Sequence, residues 1–262
     1  MGATPRRSAL ITGSSGGLGY AVAESLAAVG CDVVLHGIEA PDGVEPARAA
    51  LATRYGISAA YYQADLSDLS ALDRLMAFVA DRFGGPDIVV NNAVVRHFAP
   101  VECLATADWQ RSLAVNLTAP FQIIRLALPG MRVRDFGRIV NMSSHYGQRG
   151  ATNRADYVTT KAGILGLTRA VALETAGTGI TCNAISPGTL PTPAITARID
   201  ALAATRNLSR EEATRVYMKE RQPSGRFVQL EDVGAAISFL CGPAGRDITG
   251  AVIPIDGGWS AA

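Results

Sequence analysis

Short apolar runs alternate with helix-forming segments from Ser8 to Ile255, and that alternation leaves the chain few architectures. The runs fall at residues 8–11, 33–35, 59–63, 88–90, 139–142, 180–185 and 252–255. Each suits one buried strand, and the stretches between them can hold a helix. Parallel strands need such crossovers, and helices on both faces explain runs that are apolar on both sides. The expected fold is an α/β doubly wound parallel sheet of about seven strands, with helices on both faces.

No linker, repeat or low-complexity tract interrupts the pattern, so one domain is expected over 1–262. Hydrophobic residues make up 48% and charged residues 18%, the balance of a compact core rather than a disordered chain. A net charge of +1 gives no basic excess for phosphate backbones, so nucleic acid is not an expected partner. No apolar run approaches the roughly 18 residues of a membrane span, so no membrane partner is expected either. Cys31, Cys103, Cys182 and Cys241 form no Cys-x-x-Cys pair, and no metal site is expected. Residues 1–7 hold two arginines but no following apolar stretch, so no secretion signal is expected. Isolated cysteines and no signal together point to the cytoplasm.

The first run leads into Thr12-Gly13-Ser14-Ser15-Gly16-Gly17-Leu18-Gly19 and then a helix-like segment, 20–29. Strand, glycine turn and helix form the context of a dinucleotide site. Glycines let the backbone approach a pyrophosphate, and the helix N-terminus offers free N–H groups. The Gly-x3-Gly-x-Gly spacing departs from the common Gly-x-Gly-x-x-Gly, and alone it could equally be an ordinary loop. Tyr157 and Lys161 stand four apart, on one face of a helix. Free tyrosine titrates at about 10, and an adjacent ammonium favours the phenolate, which makes the pair a candidate acid–base device. Such a pair also occurs in ordinary helix packing. Two further motifs accompany it: Asn91-Asn92-Ala93 directly after the fourth run, and Ser143-Ser144 directly after the fifth.

Together, Thr12-Gly13-x3-Gly17-x-Gly19, Asn91-Asn92-Ala93, Asn116, Ser144, Tyr157-x3-Lys161, Pro187-Gly188 and the closing Asp256-Gly257-Gly258-Trp259 resemble the short-chain dehydrogenase/reductase family, over essentially the whole chain. The resemblance implies a Rossmann-type fold and hydride transfer between a nicotinamide and an alcohol or ketone. It implies four catalytic residues. Tyr157 takes the hydroxyl proton in the oxidation direction, and Lys161 assists it and bonds the nicotinamide ribose. Ser144 bonds the substrate oxygen, and Asn116 holds a water that relays protons from the lysine. Cofactor contacts are implied at Gly13, Ser15, Gly17, Leu18 and Gly19, then at His36, Asp65 and Leu66. The set continues with Asn92, Ala93, Tyr157 and Lys161, and ends with Pro187, Gly188, Leu190 and Thr192. Val94 stands where the family usually has glycine, and either crowds the cofactor or packs the strand end. A homotetramer is also implied, with the helices around Asn116 and Tyr157 pairing between subunits.

An acidic residue after the second strand marks NAD sites and a basic one NADP sites. Here the chain reads His36-Gly37-Ile38-Glu39, with no Arg or Lys to meet a 2′-phosphate. NAD is therefore expected over NADP, with Glu39 or the loop backbone at the ribose. Residues 189–222 break the alternation with Pro191, Pro193 and a Ser209–Glu212 capping box. They read as a small helical lid before the last helix and strand, or as a peripheral helix pair.

Within the family, stretches 126–132, 170–176 and 256–259 are most similar to bacterial D-3-hydroxybutyrate dehydrogenases. Those enzymes grip a small carboxylate with Gln, His, Lys and Gln side chains and two tryptophans. Here Arg96 stands for the first Gln, with His97 kept beside it. Tyr146 stands for the His, Arg154 for the Lys, Thr189 for one Trp and Arg198 for the second Gln, while Trp259 is kept. Guanidinium groups make paired hydrogen bonds to carboxylates, so an anionic small-molecule substrate is expected at these residues and Ser144, larger than hydroxybutyrate or carrying more than one carboxylate or polar group. Alternatively, some of the arginines face solvent or pair with acids of the lid. The leading reading is an NAD-dependent 3-hydroxy-acid dehydrogenase or a relative acting on another hydroxy or keto carboxylate. A reductase of another class (3-oxoacyl thioester, sugar or cyclic ketone) and a non-catalytic binding protein on the same fold are the others. Intact Ser144, Tyr157 and Lys161 argue against the last.

Overall fold

The computed structural model describes residues 6–219 and 221–261; residues 1–5, part of the segment read for a secretion signal, lie outside it. The chain runs β1 (Ser8–Ile11), α1 (Gly17–Ala28), β2 (Asp32–Gly37), α2 (Pro41–Tyr55), β3 (Ala59–Gln63), α3 (Leu69–Phe83) and β4 (Ile88–Asn91). It continues with α4 (Thr106–Leu113), α5 (Ala119–Val133), β5 (Gly137–Met142), α6 (Ala155–Glu174) and β6 (Ile180–Pro187). The inserted segment supplies α7 (Pro193–Arg206) and α8 (Arg210–Lys219), followed by α9 (Leu230–Cys241) and β7 (Val252–Ile255).

Seven strands form one sheet in the order β3-β2-β1-β4-β5-β6-β7, every pair parallel. Neighbouring residues of a strand serve opposite faces. Ala9, Ile11, Val33, Leu35 and Val90 enter one core with α1 and α9; Leu10, Val34, Val89 and Ile139 enter the other with α3 and α5. Burial on both faces is why the strands read as continuous apolar runs. The strand order reverses between β1 and β4, which opens a crevice at the carboxyl ends of the strands.

Two boundaries differ from the sequence reading. α1 starts at Gly17, not residue 20, so the last glycines of the turn are the helix's first turn. β2 runs on to Gly37, which makes His36 a strand residue.

The single helix expected over 108–131 is broken. Ala114–Thr118 form a wider π-type turn, with the Ala119 N–H bonded to the Ala114 carbonyl. Pro120 explains the break: it has no N–H for the Asn116 carbonyl, and its ring would clash there, so a regular helical ladder cannot run through.

In the inserted segment the capping box forms as read. The Ser209 N–H donates to Glu212 Oε2 at 2.9 Å, and the Glu212 N–H donates to Ser209 Oγ at 3.2 Å. Asn207 ends α7 in the left-handed region with φ 52°. Among the described residues no helix is long and apolar enough to cross a membrane. No group of three His, Cys, Asp or Glu side chains among them could hold a metal ion.

Candidate active site

The glycine turn and the end of β4 interlock. Gly13 has φ +61°, and a Cβ there would come within 2.8 Å of Ala93 Cα. A Cβ on Gly19 would run into the Gly13 carbonyl and approach Asn92 Nδ2 to 2.7 Å. Thr12 Oγ1 accepts the N–H groups of Asn92 at 3.0 Å and Ala93 at 3.1 Å. Asn92 Nδ2 in turn donates to the Thr12 and Gly13 carbonyls at 3.0 and 2.8 Å. No side chain caps α1, and its first turn carries no acid. Free N–H groups and an unneutralised dipole end are what a pyrophosphate requires.

Every residue assigned above to the cofactor except Gly17 lines one cavity of about 430 Å³. Val94 also lines it. At the β2 end, His36 lines the cavity with both of its ring nitrogens committed to the protein. Nδ1 accepts the Gly13 N–H at 3.2 Å, and Nε2 lies 3.2 Å from the Ala64 carbonyl, which fits the neutral ring with its proton on Nε2. Burial pulls its pKa down to about 4, so the ring stays neutral and rivets the glycine turn to β2 and β3. Glu39 lies closer to a ribose role. A Cβ on Gly37 would strike Glu39 Oε2 and come within 3.1 Å of both Ser15 Oγ and Tyr61 Oη, so carboxylate, hydroxyl and phenol gather at the strand end. Asp65 lines the cavity but pairs with Arg111 at 3.2 Å, a cavity residue the sequence reading passed over.

α6 carries Tyr157 and Lys161 to the opposite end, where both line the cavity with Ser144. Lys161 Nζ donates to the Met142 carbonyl at 2.5 Å and lies 5.7 Å from the centre of the Tyr157 ring. Burial, aided by the charge of Arg96, lowers the Lys161 pKa to about 7. Removing that like charge should raise it again. In Arg96→Ala the Lys161 titration, followed by NMR of ¹³C-labelled lysine in the cofactor-free protein, is expected to move upward; an unmoved midpoint would contradict this role of Arg96. Asn116 sits in the π-type turn and clamps Val95 from both sides. Its Oδ1 accepts the Val95 N–H at 2.9 Å, and its Nδ2 donates to the Val95 carbonyl at 2.9 Å. It fixes the loop after β4 and does not itself line the cavity.

The substrate assignments fare unevenly. Arg96 lines the cavity, its guanidinium carbon 5.9 Å from the Tyr157 ring centre. Arg154 stands 5.1 Å from the same ring and 3.8 Å from that of Phe98. Arg198, on α7, lies 4.8 Å from Phe98. Tyr146 packs edge-on against Tyr157 at 6.4 Å and Trp259 at 5.6 Å, and Trp259 stacks on His145 at 4.1 Å.

Two assignments are corrected. His97, like Tyr146, Arg154, Thr189, Arg198 and Trp259, is not among the residues lining the cavity; its Nδ1 lies 3.1 Å from Asp156 Oδ2 and Nε2 3.5 Å from Asp108 Oδ1, so two carboxylates hold it. Thr189 is 5% exposed, and its N–H donates to Gln222 Oε1, so its backbone ties β6 to the end of the inserted segment. The reading missed Asp156, whose Oδ2 accepts Ser112 Oγ–H at 2.6 Å and the His97 N–H at 3.2 Å. It also missed Phe98, the ring shared by two arginines. A lone aromatic next to His97 was the available signal for Phe98, and an acid directly before Tyr157 the signal for Asp156.

The family model described as "Enoyl-(Acyl carrier protein) reductase" matches residues 13–260. The chain is 40% identical over 256 residues to the D-beta-hydroxybutyrate dehydrogenase of Cupriavidus necator, covering 97% of this chain and 98% of that one. It is 36% identical over 254 residues to the acetoacetyl-CoA reductase of Allochromatium vinosum, covering 96% and 98%. Among solved structures, L-sorbose reductase from Gluconobacter frateurii, complexed with NADPH and L-sorbose, superposes with a TM-score of 0.91 at 27% identity, covering 97% of each chain. On this evidence the chain belongs to the short-chain dehydrogenase/reductase family and is an oxidoreductase acting on hydroxyl or keto substrates with a nicotinamide cofactor.

Proposed function

We propose that this chain is an NAD-dependent dehydrogenase of an anionic hydroxy carboxylate, reversible toward the keto acid. The observation that carries the reading is the pair Arg96 and Arg154. Both guanidiniums flank the Tyr157 ring, at 5.9 and 5.1 Å, and neither has a carboxylate partner among the described residues. A substrate carboxylate there meets forked donors while its hydroxyl reaches Tyr157. D-beta-hydroxybutyrate dehydrogenases of two bacteria, 40% and 39% identical, act on a hydroxy acid by name and support the same class.

A bound nicotinamide supplies the hydride acceptor or donor. Its pyrophosphate would rest on the glycine turn and the start of α1, and its ribose on Lys161. Tyr157 takes the hydroxyl proton as the carbinol carbon gives up hydride and the C–O bond becomes a carbonyl. Lys161 in its protonated form places a positive charge beside the phenolate, and Ser144 Oγ donates to the substrate oxygen. Pro120 leaves the Asn116 carbonyl without its helical donor, so that carbonyl is suited to hold a water passing the proton outward from Lys161. Glu39 and Ser15 suit the two hydroxyls of the adenosine ribose, and the Glu39 carboxylate repels a 2′-phosphate.

Initial rates with NAD and NADP at equal concentration, over hydroxy acids, sugars and alcohols, test the reading. A hydroxy acid with NAD is expected to lead, with NAD ahead by about tenfold or more, the factor that each 1.4 kcal/mol of repulsion supplies. A strong NADP preference, or a sugar as best substrate, would overturn it. The match to an acetoacetyl-CoA reductase favours a second reading, a thioester reductase, which acetoacetyl-CoA with NADPH in the same assay decides.

A further inference from the structure

Several arginines that hold the fold together are paired with acids, whereas the buried Arg138 bonds the Gly137 and Gly179 carbonyls and leaves its Nε without a partner. Arg48 bonds Glu45, Arg111 bonds Asp65, Arg134 bonds Asp87 and Arg210 bonds Asp200. Arg96, Arg154 and Arg198 are different. Among the described residues their guanidiniums make no hydrogen bond and no ion pair, and aromatic faces are their recorded contacts. Arg154 Nη1 is buried with no partner at all. Burial lowers the Arg154 pKa, and Arg96 and Arg198 push it the same way, so the three charges feel one another. A buried, unpaired guanidinium nitrogen is costly, and natural folds pair such groups or leave them for a ligand. The acid nearest in sequence, Asp156, makes no ion pair with Arg154: its Oδ2 holds Ser112 and His97, and its Oδ1 is itself buried with no partner.

The exposed Arg96 and Arg198 are each linked to the part-buried Arg154 through a shared ring. Arg96 and Arg154 share the Tyr157 ring, and Arg154 and Arg198 share Phe98 at 3.8 and 4.8 Å. The last two guanidiniums are therefore no farther apart than the sum of those two distances. One carboxylate between Arg96 and Arg154 leaves the Arg154–Arg198 end uncompensated.

We propose that the substrate is a hydroxy dicarboxylate, its second carboxylate held between Arg154 and Arg198 across the Phe98 ring. The proposal deepens the anionic hydroxy-carboxylate reading and rests on it. Arg198 rides on α7, so the distal carboxylate also ties the inserted helices to the start of α6, which carries Arg154 at its N-cap.

Matched substrates test it on the whole enzyme with NAD. 3-Hydroxyglutarate is 3-hydroxybutyrate with one more carboxylate on its methyl group, and 3-hydroxypentanoate supplies the extra carbon without the charge. Wild-type kcat/KM is expected to favour 3-hydroxyglutarate over 3-hydroxypentanoate by about tenfold to a hundredfold, the range of one charge-assisted pair. In Arg198→Ala that ratio should collapse toward one, chiefly through KM. Arg198 is exposed on its helix, so the substitution leaves the core untouched.

A ratio near one in the wild type, or an unchanged ratio in Arg198→Ala, overturns the proposal while leaving the hydroxy-carboxylate reading in place. No turnover of any of the three acids overturns both. A preference for 3-hydroxy-4-phosphobutyrate over 3-hydroxyglutarate assigns the distal anion to a phosphate and overturns the dicarboxylate.

Discussion

Tyr157→Phe is expected to remove nearly all turnover and to leave dinucleotide binding intact. The substitution deletes one oxygen, the atom that takes the substrate proton. General acid–base catalysis contributes about 10²- to 10⁴-fold, and no other hydroxyl on α6 replaces this one: Thr160 Oγ1 already donates to the Tyr157 carbonyl. The ring itself remains, so Arg96, Arg154 and Lys161 keep the surface they lie against. The glycine turn lies at the other end of the cavity and is untouched. Steady-state rates together with a cofactor titration followed by NADH fluorescence separate the two effects. A variant retaining activity within about tenfold of wild type would remove Tyr157 from the chemistry.

Gly19→Ala should produce the largest loss of cofactor affinity from a single methyl group. The added carbon would collide with the Gly13 carbonyl and lie within 2.8 Å of Ser14 Cα, both backbone atoms with little room to yield. Relief requires opening the interlock of Thr12, Asn92 and Ala93, which shapes the floor of the cavity. Overpacking at a rigid site costs about 1–3 kcal/mol, and affinity should fall by about a hundredfold as the turn moves. Thermal denaturation and the same NADH titration measure both. Gly43→Ala, outside the cavity on α2, is the control for an added methyl, since a Cβ at Gly43 meets nothing within 4 Å. Equal NADH affinity in Gly19→Ala and wild type would show that the turn does not form the cofactor floor.

The central strands were readable because they are buried on both faces, so apolarity alone marks them, from Leu10 and Val34 on one face to Ile11 and Leu35 on the other. The break before α5 was missed although Pro120 stood in plain view; an apolar period carried the eye through a residue that cannot continue a helix. The residues of the cavity were legible as motifs, since their backbone and hydroxyl chemistry is tied to spacing. His36 was not legible in the same way. Its partners, the Gly13 N–H and the Ala64 carbonyl, come from segments 23 and 28 residues away, and only the assembled sheet joins them. The three arginines were visible as residue types. That they lack acids, and that Phe98 joins two of them, is a property of packing across three separate segments.

The π-type turn at Ala114–Thr118 also sets the phase of everything behind it. Such a turn holds one residue more than a helical turn, and each residue advances a helix by about 100°. Deleting a single residue there would leave Pro120 in place and swing α5 on its axis. Ile123, Ile124, Ala127 and Met131 would leave the core, and Gln122 and Arg125, now facing outward, would turn toward it. The residue surplus that frees a carbonyl beside the chemistry thus also keeps the helix's oily side inward, and no drift in chain length at that point can be silent.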